Sequence, residues 1–236
     1  MAKVIPLPTH SPRSEDLGDK VKAHQRYRLK DGSIVPGVTT ITGILGFNKQ
    51  TLINWARNEA LAGRDPNKIK DETAMIGTLA HYLIECGLSG KPPSTKDYTP
   101  DQVERAEHAL HSFNQWISQH ELAPMLIEGQ LVSEEHQYGG TIDCWAHLDD
   151  VPTLLDFKTS SGVWLEHKIQ VAAYWKLLQE NGYDVKGVRI LRIPRVPQED
   201  FGEHILSGQQ ILIGWRMFKR ALELYRLERE LRGSFA

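Results

Sequence analysis

Apolar positions along this chain follow two rhythms. From residue 48 to 119 they recur every three or four residues. From 126 to 159 they mostly alternate with polar ones. The first rhythm predicts helices. Residues 48–62 read as one, and residues 73–87 as a second, whose stripe is Ile76, Leu79, Ala80, Leu83 and Ile84. Thr99-Pro100-Asp101-Gln102 is a capping box with proline at the first helical position, and it opens a third helix with Val103, Ala106, Leu110, Phe113 and Ile117 on one face. That helix is expected to run to about residue 119.

The second rhythm predicts strands at 126–133, 141–148 and 153–159, with Tyr138-Gly139-Gly140 and Asp149-Asp150 as turns. In the middle strand Ile142, Cys144, Ala146 and Leu148 fall on one face, and Thr141, Asp143, Trp145 and His147 on the other. A helix over 164–181, ended by Gly182, leads to a strand at 188–193. A last helix carries Ile211, Trp215, Phe218, Leu222 and Tyr225 as its stripe. Nearer the start, residues 27–35 read as a hairpin about Asp31-Gly32, a type I′ signal, and residues 37–42 as a β-prone connector. Helices, an antiparallel run of strands, then helix–strand–helix make an α/β fold with a mixed central β-sheet flanked by helices. Residues 1–22 read as an N-terminal arm, and 23–236 as one domain.

Composition narrows the classes. The chain has 236 residues, 40% hydrophobic and 25% charged, with a net charge of −2. That is enough apolar material for a core, and it excludes a polycation or a disordered acidic chain. Two cysteines, Cys86 and Cys144, exclude a disulfide scaffold and any four-cysteine metal cluster, and both read as small buried residues. No apolar run reaches the roughly 18 residues of a membrane span, and no secretory leader is evident, so a cytoplasmic location is expected. Charge is segregated: residues 101–156 hold eleven acids and one base, whereas 157–198 hold seven bases and three acids. An acidic centre beside basic segments suits a metal site that meets a polyanion; solvated helix faces give the same tally.

Within that centre, Asp156-Phe157-Lys158 lies on a strand, so the carboxylate and the ammonium share a face and Phe157 turns the other way. Asp143 lies on the preceding strand. Adjacent strands are ~4.8 Å apart, so both carboxylates can share one cation. Together with the Phe157 carbonyl they make an oxygen-rich site for Mg²⁺ or Mn²⁺, and Lys158 beside it can orient a water against a phosphodiester. An exposed Asp156–Lys158 ion pair with a solvated Asp143 fits the same residues. Gln170 and Tyr174 stand one turn apart on the next helix and project together.

These residues resemble the PD-(D/E)XK nuclease superfamily, in particular its RecB-like exonuclease branch. The resemblance is carried by Gly140-Thr141-Ile142-Asp143, by Leu154-Leu155-Asp156-Phe157-Lys158-Thr159-Ser160, by Gln170 with Tyr174, and by Gly77 four residues before His81. It implies a restriction-endonuclease-like core and a metal-dependent deoxyribonuclease, most simply an exonuclease, of phage or bacterial recombination, replication or repair. It implies Asp143, Asp156 and Lys158 as the catalytic set, and His81, Asp143, Asp156 and Phe157 as metal ligands. Thr159 and Ser160 are implied on the DNA side, and Gln170 and Tyr174 as holding the site or the DNA backbone, the DNA being single- or double-stranded. A histidine ligand favours Mn²⁺ over Mg²⁺. The iron–sulfur cluster of many relatives is excluded by the cysteine count. An endonuclease, or a non-catalytic binding module, is compatible with the same fold. The superfamily also includes ring-shaped oligomers, so a homo-oligomer or a recombination partner is compatible as well.

Other residues remain two-sided. Glu85 shares the face of His81 and is either its partner or a solvated acid. Glu128 either reaches the metal or sits on an edge. Arg189, Arg192 and Arg195 contact DNA phosphates or belong to ordinary strand faces, and Trp164 either stacks on a base or packs. His108 and His111 read as surface residues.

Overall fold

The computed structural model describes residues 26–234, so the expected arm at 1–22 lies outside the described residues. Beyond a short antiparallel hairpin of β1 (Tyr27–Arg28) and β2 (Ile34–Val35), a five-stranded mixed sheet forms the middle layer, in the order β3 (Leu122–Ser133), β4 (Tyr138–Leu148), β5 (Val151–Lys158), β6 (Gly187–Arg192), β7 (Gly202–Ile205). β3, β4 and β5 run antiparallel in sequence, β6 is parallel to β5, and β7 closes the edge antiparallel. The parallel step needs a crossover, which α5 (Leu165–Glu180) supplies.

Each face of the sheet has its own core. On one side α5, α6 (Gly208–Gly233) and the short α1 (Val38–Gly43) enclose Ile41, Tyr138, Leu154, Ile169, Leu177 and Phe218. On the other, α3 (Pro66–Ser89) and α4 (Pro100–Ile117) cover Leu79, Ile84, Phe113, Cys144, Leu155 and Phe157. A mixed sheet between helical layers is compatible with a restriction-endonuclease-like core. α2 (Lys49–Leu61) contributes no buried residue to either core.

The capping box at Thr99 forms as its residues dictate, with Gln102 N–H donating to the threonine hydroxyl and the glutamine side chain returning to the Thr99 amide. Several local expectations are corrected. Residues 37–42, expected as extended, enter α1, where Val38 and Ile41 are buried under α5: tertiary burial overrides β-branched propensity. α3 begins at Pro66, ahead of the expected 73, because the Asp65 side chain caps the Asn67 and Lys68 amides. The Asp31-Gly32 corner is not type I′: only Gly32 has positive φ, at 86°, and Gly32 N–H donates to the Leu29 carbonyl. Tyr138, Gly139 and Gly140 belong to β4 rather than to a turn, and β7 was not expected. The alternation along β4 also breaks. Ile142 packs in the α5/α6 core with Trp145, while Cys144, Ala146 and Leu148 pack in the α3/α4 core.

Candidate active site

The break in β4 is where the chemistry sits. Toward Asp143 the β4–β5 ladder ends at Cys144↔Leu155. On the other flank, the β3–β4 register passes from Ile127↔Cys144 to Gly129↔Ile142 without a Glu128–Asp143 rung. Glu128 has φ 47° there, a left-handed backbone that costs a non-glycine residue about 1–2 kcal/mol. Asp143 replaces the missing ladder with its side chain: Oδ2 accepts from the Phe157 amide at 2.8 Å. Its other oxygen lies 3.9 Å from His81 Nδ1 on α3.

His81, Glu128 and Asp143 offer ligand atoms that all lie within 4.8 Å of one another. Sequence reasoning left Glu128 undecided. Its approach depends on the left-handed backbone and the skipped rung, and neither has a sequence signature. A second such group among the described residues, Glu135, His136 and Glu180, lies at the end of α5, where Lys176 Nζ stands 3.4 Å from Glu180.

On the neighbouring strand, Asp156 is 1% exposed. Lys158 Nζ stands 2.7 Å from Oδ2, a charge-assisted contact, and no backbone amide or other side chain donates to either carboxylate oxygen, so Oδ1 is left without a partner. Burial pushes the Asp156 carboxyl upward; Lys158 opposes the push and the charge of Asp143 adds to it. Three carboxylates (Asp143, Asp156, Glu128) against one ammonium leave an excess of negative charge. A buried carboxylate held by Lys158 alone, next to a mixed imidazole–carboxylate set, fits a divalent cation of the Mg²⁺ or Mn²⁺ kind.

Glycines set the close approaches. A Cβ on Gly77 would lie 2.8 Å from the Thr159 hydroxyl, so glycine lets α3 cross the end of β5 and places His81 one turn on. A Cβ on Gly140 would lie 2.6 Å from the Tyr174 ring, so glycine lets α5 come down on β4. Gln170 Nε2 donates to the Tyr174 hydroxyl at 2.8 Å, the pairing that their spacing dictates. Tyr174 is only 5% exposed, and burial, with Asp156 and Asp143 near, holds its phenol well above the usual value. It therefore faces the carboxylates from inside. Phe157 supports the site from the opposite side, its ring edge-on to His81 and to Phe113, with centroids 6.1 and 5.3 Å away.

Lys158, His81, Thr159 and Ser160 line one open cleft of about 410 Å³ with Gly77 and Thr73 of α3. A larger groove, of about 1010 Å³, runs along α6 away from these residues. His167, which sequence reasoning did not weigh, caps α5 from its third position: Nδ1 accepts from the Trp164 amide at 3.2 Å. Burial, with Lys158 close, pulls its imidazole down to about 4. The ring is thus neutral with its proton on Nε2. Glu85 stands half-buried one turn beyond His81. Two of the basic-strand residues are engaged with acids, Arg189 with Glu203 and Arg195 with Glu199, and Arg192 donates to the Ser161 carbonyl at 3.3 Å. Arg195 is buried, so its place is structural. Trp164 is exposed at the helix start. Cys144 is an inert core residue, its thiol pushed up to about 12 by burial. No described helix is long and apolar enough to cross a membrane.

No family model matches this chain, and no protein of curated function does. Among solved structures it is similar to a crystal structure of a candidate exonuclease from Eubacterium rectale, with a TM-score of 0.48 and 11% identity, covering 67% of this chain and 68% of the other.

Proposed function

We propose that this chain is a metal-dependent deoxyribonuclease that hydrolyses phosphodiester bonds, acting as an exonuclease in DNA recombination, replication or repair. The observation that carries the reading is Asp156: a buried carboxylate whose one charged partner is Lys158, with Oδ1 left unpartnered, set beside the His81–Glu128–Asp143 cluster. The order of motifs, from Gly77 and His81 through Asp143 and Asp156-Phe157-Lys158 to Gln170 and Tyr174, supports it as the pattern of the RecB-like branch.

In this reading His81, Glu128, Asp143, Asp156 and the Phe157 carbonyl hold Mg²⁺ or Mn²⁺. The cation, when bound, supplies charge neutralisation at the phosphate and a more acidic water. The chain's own groups do the rest. Lys158, anchored by Asp156, orients the attacking water and offsets charge building on the phosphate. The Phe157 amide fixes one oxygen of Asp143, so the other keeps a constant direction. Thr159 and Ser160, at the mouth of the cleft, contact the DNA backbone. Gln170 and Tyr174 hold the carboxylates in place from beneath. Neutral His167 adds a donor near Lys158 without adding a charge that would compete with the cation.

The test is digestion of end-labelled linear DNA with Mg²⁺ or Mn²⁺ by the wild type, Asp156→Ala and Lys158→Ala. Loss of digestion in both variants is expected, and equal rates in all three would refute the reading. A covalently closed circle left intact supports an exonuclease; nicking of the circle makes the enzyme an endonuclease. Calorimetry that detects no cation binding, together with no cleavage, assigns a binding module.

A further inference from the structure

α6 has two apolar faces; its own chain buries one and leaves the other largely exposed, with Met217 of that face half-buried against the core. Ile211, Gly214, Trp215, Phe218, Ala221 and Leu222 are buried beneath it. On the opposite side stand Ile213, Met217, Arg220, Leu224, Leu227 and Leu231, in steps of four, three, four, three and four residues. That is the spacing of a coiled-coil seam with one charged position. Ile213, Leu224, Leu227 and Leu231 are 46%, 56%, 55% and 60% exposed, and the open groove along α6 runs beside them. Past Leu222 the helix buries no further residue. An amphipathic helix end draws its stability mainly from an apolar partner surface.

The seam is symmetric about Leu222. Ile213 and Leu231 lie nine residues to either side of it, Met217 and Leu227 five, and Arg220 and Leu224 two. Antiparallel pairing with an identical helix therefore sets every apolar seam position against another seam position. The flanking charges agree with this direction. From Gly208 to Leu222 α6 carries Arg216, Lys219 and Arg220 and no acid, whereas past Leu222 the acids Glu223, Glu228 and Glu230 stand among Arg226, Arg229 and Arg232. Arg216, Glu223 and Glu230 recur every seven residues along one flank of the seam. Like flanks meet about a two-fold axis, so Arg216 of each copy faces Glu230 of the other. The two Glu223 side chains meet at the centre, each held by its own Arg220 at 2.9 Å. Parallel pairing in register would instead stack Arg220 on Arg220 inside the seam, which like-charge repulsion disfavours. We propose that the exposed face of α6 is an antiparallel homodimer interface, occupied by α6 of a second copy of this chain.

The full-length protein at tens of micromolar is expected to sediment with the mass of two chains. Leu224→Glu combined with Leu227→Glu is expected to give a single-chain mass with an unchanged circular dichroism spectrum, since both positions face outward. Arg216→Glu, which sets like charges together at both Arg216–Glu230 contacts, is expected to raise the dimer dissociation constant at least about tenfold, the change that ~1.4 kcal/mol produces. Direction is read by cross-linking, for which Cys86 and Cys144 are silent because both are buried. An equal mixture of Met217→Cys and Leu227→Cys chains should cross-link with a short bis-maleimide, and neither alone should. A single-chain mass for the wild type, or a dimer indifferent to the glutamate pair, overturns the proposal. Cross-linking by Leu227→Cys alone overturns the antiparallel arrangement. Neither readout involves DNA cleavage, so each stands whatever the nuclease assay returns.

Discussion

The β4–β5 hairpin has a pair of aspartates at each end, and the two pairs live in opposite surroundings. At the turn, Asp149 and Asp150 are exposed, with φ of 50° and 63°. Asp149 accepts from the Glu121 amide at 2.9 Å and pairs with His120 at 2.7 Å, and these hydrogen bonds hold its carboxyl below the ordinary value. At the open end, Asp143 takes over a lost backbone rung with one oxygen, and buried Asp156 has Lys158 beside one oxygen and no partner for the other. At the turn, Asp149 is tied to the scaffold through both of its oxygens; at the open end each carboxylate keeps an oxygen that no donor bonds. What separates the two ends is the supply of donors, not the residue.

The sharpest way to break this comparison is to remove one aspartate at each end. Asp156→Ala is expected to cut the DNA hydrolysis rate by a thousandfold or more, of the order seen when essential polar groups at active sites are lost, while Asp149→Ala stays within about twofold. A steady-state assay on one labelled substrate reads both; comparable losses would erase the distinction. Next in size, Glu128→Gln is expected to weaken Mn²⁺ binding by about 10–100-fold, measured by calorimetry. Saturating Mn²⁺ should raise the melting temperature of the wild type, since about 2.7 kcal/mol follows from a hundredfold excess over Kd. Asp143→Asn should lose most of that rise, and Asp149→Asn none.

Gly140→Ala sharpens the comparison through packing. The new methyl meets the Tyr174 ring, and overpacking of this kind costs about 1–3 kcal/mol, visible in chemical denaturation. Smallest is a pH effect at the turn. The folded-state value of Asp149 is depressed, so its contribution is present above the unfolded value near 3.9 and is lost as pH falls below it. Asp149→Asn should therefore lower the melting temperature slightly at pH 6 and leave it unchanged near pH 2.

Much of the site was legible because its residues are neighbours along one element. Asp156 and Lys158 share a strand face by period two, and Gln170 and Tyr174 share a helix face by one turn. The box at Thr99 announced α4, and the stripe from Ile76 to Ile84 announced the buried face of α3. What was not legible arises between elements. Glu128 joins His81 and Asp143 only because a rung is skipped and its backbone turns left-handed. Ile142 and Cys144, two residues apart on β4, pack in different cores on either side of the gap at Asp143. α1 is helical because α5 covers it. His167 is placed by a cap at Trp164, two residues with no capping signature of their own.

Phe157 belongs to two structures at once. Its ring fills the α3/α4 core against Phe113 and leans on His81, while its amide pins Asp143. Drift in that half of the interior is consequently transmitted to His81 and to Asp143. On the proposed nuclease reading, a library randomised beneath α3 and α4 should yield variants that lose activity before they lose their fold.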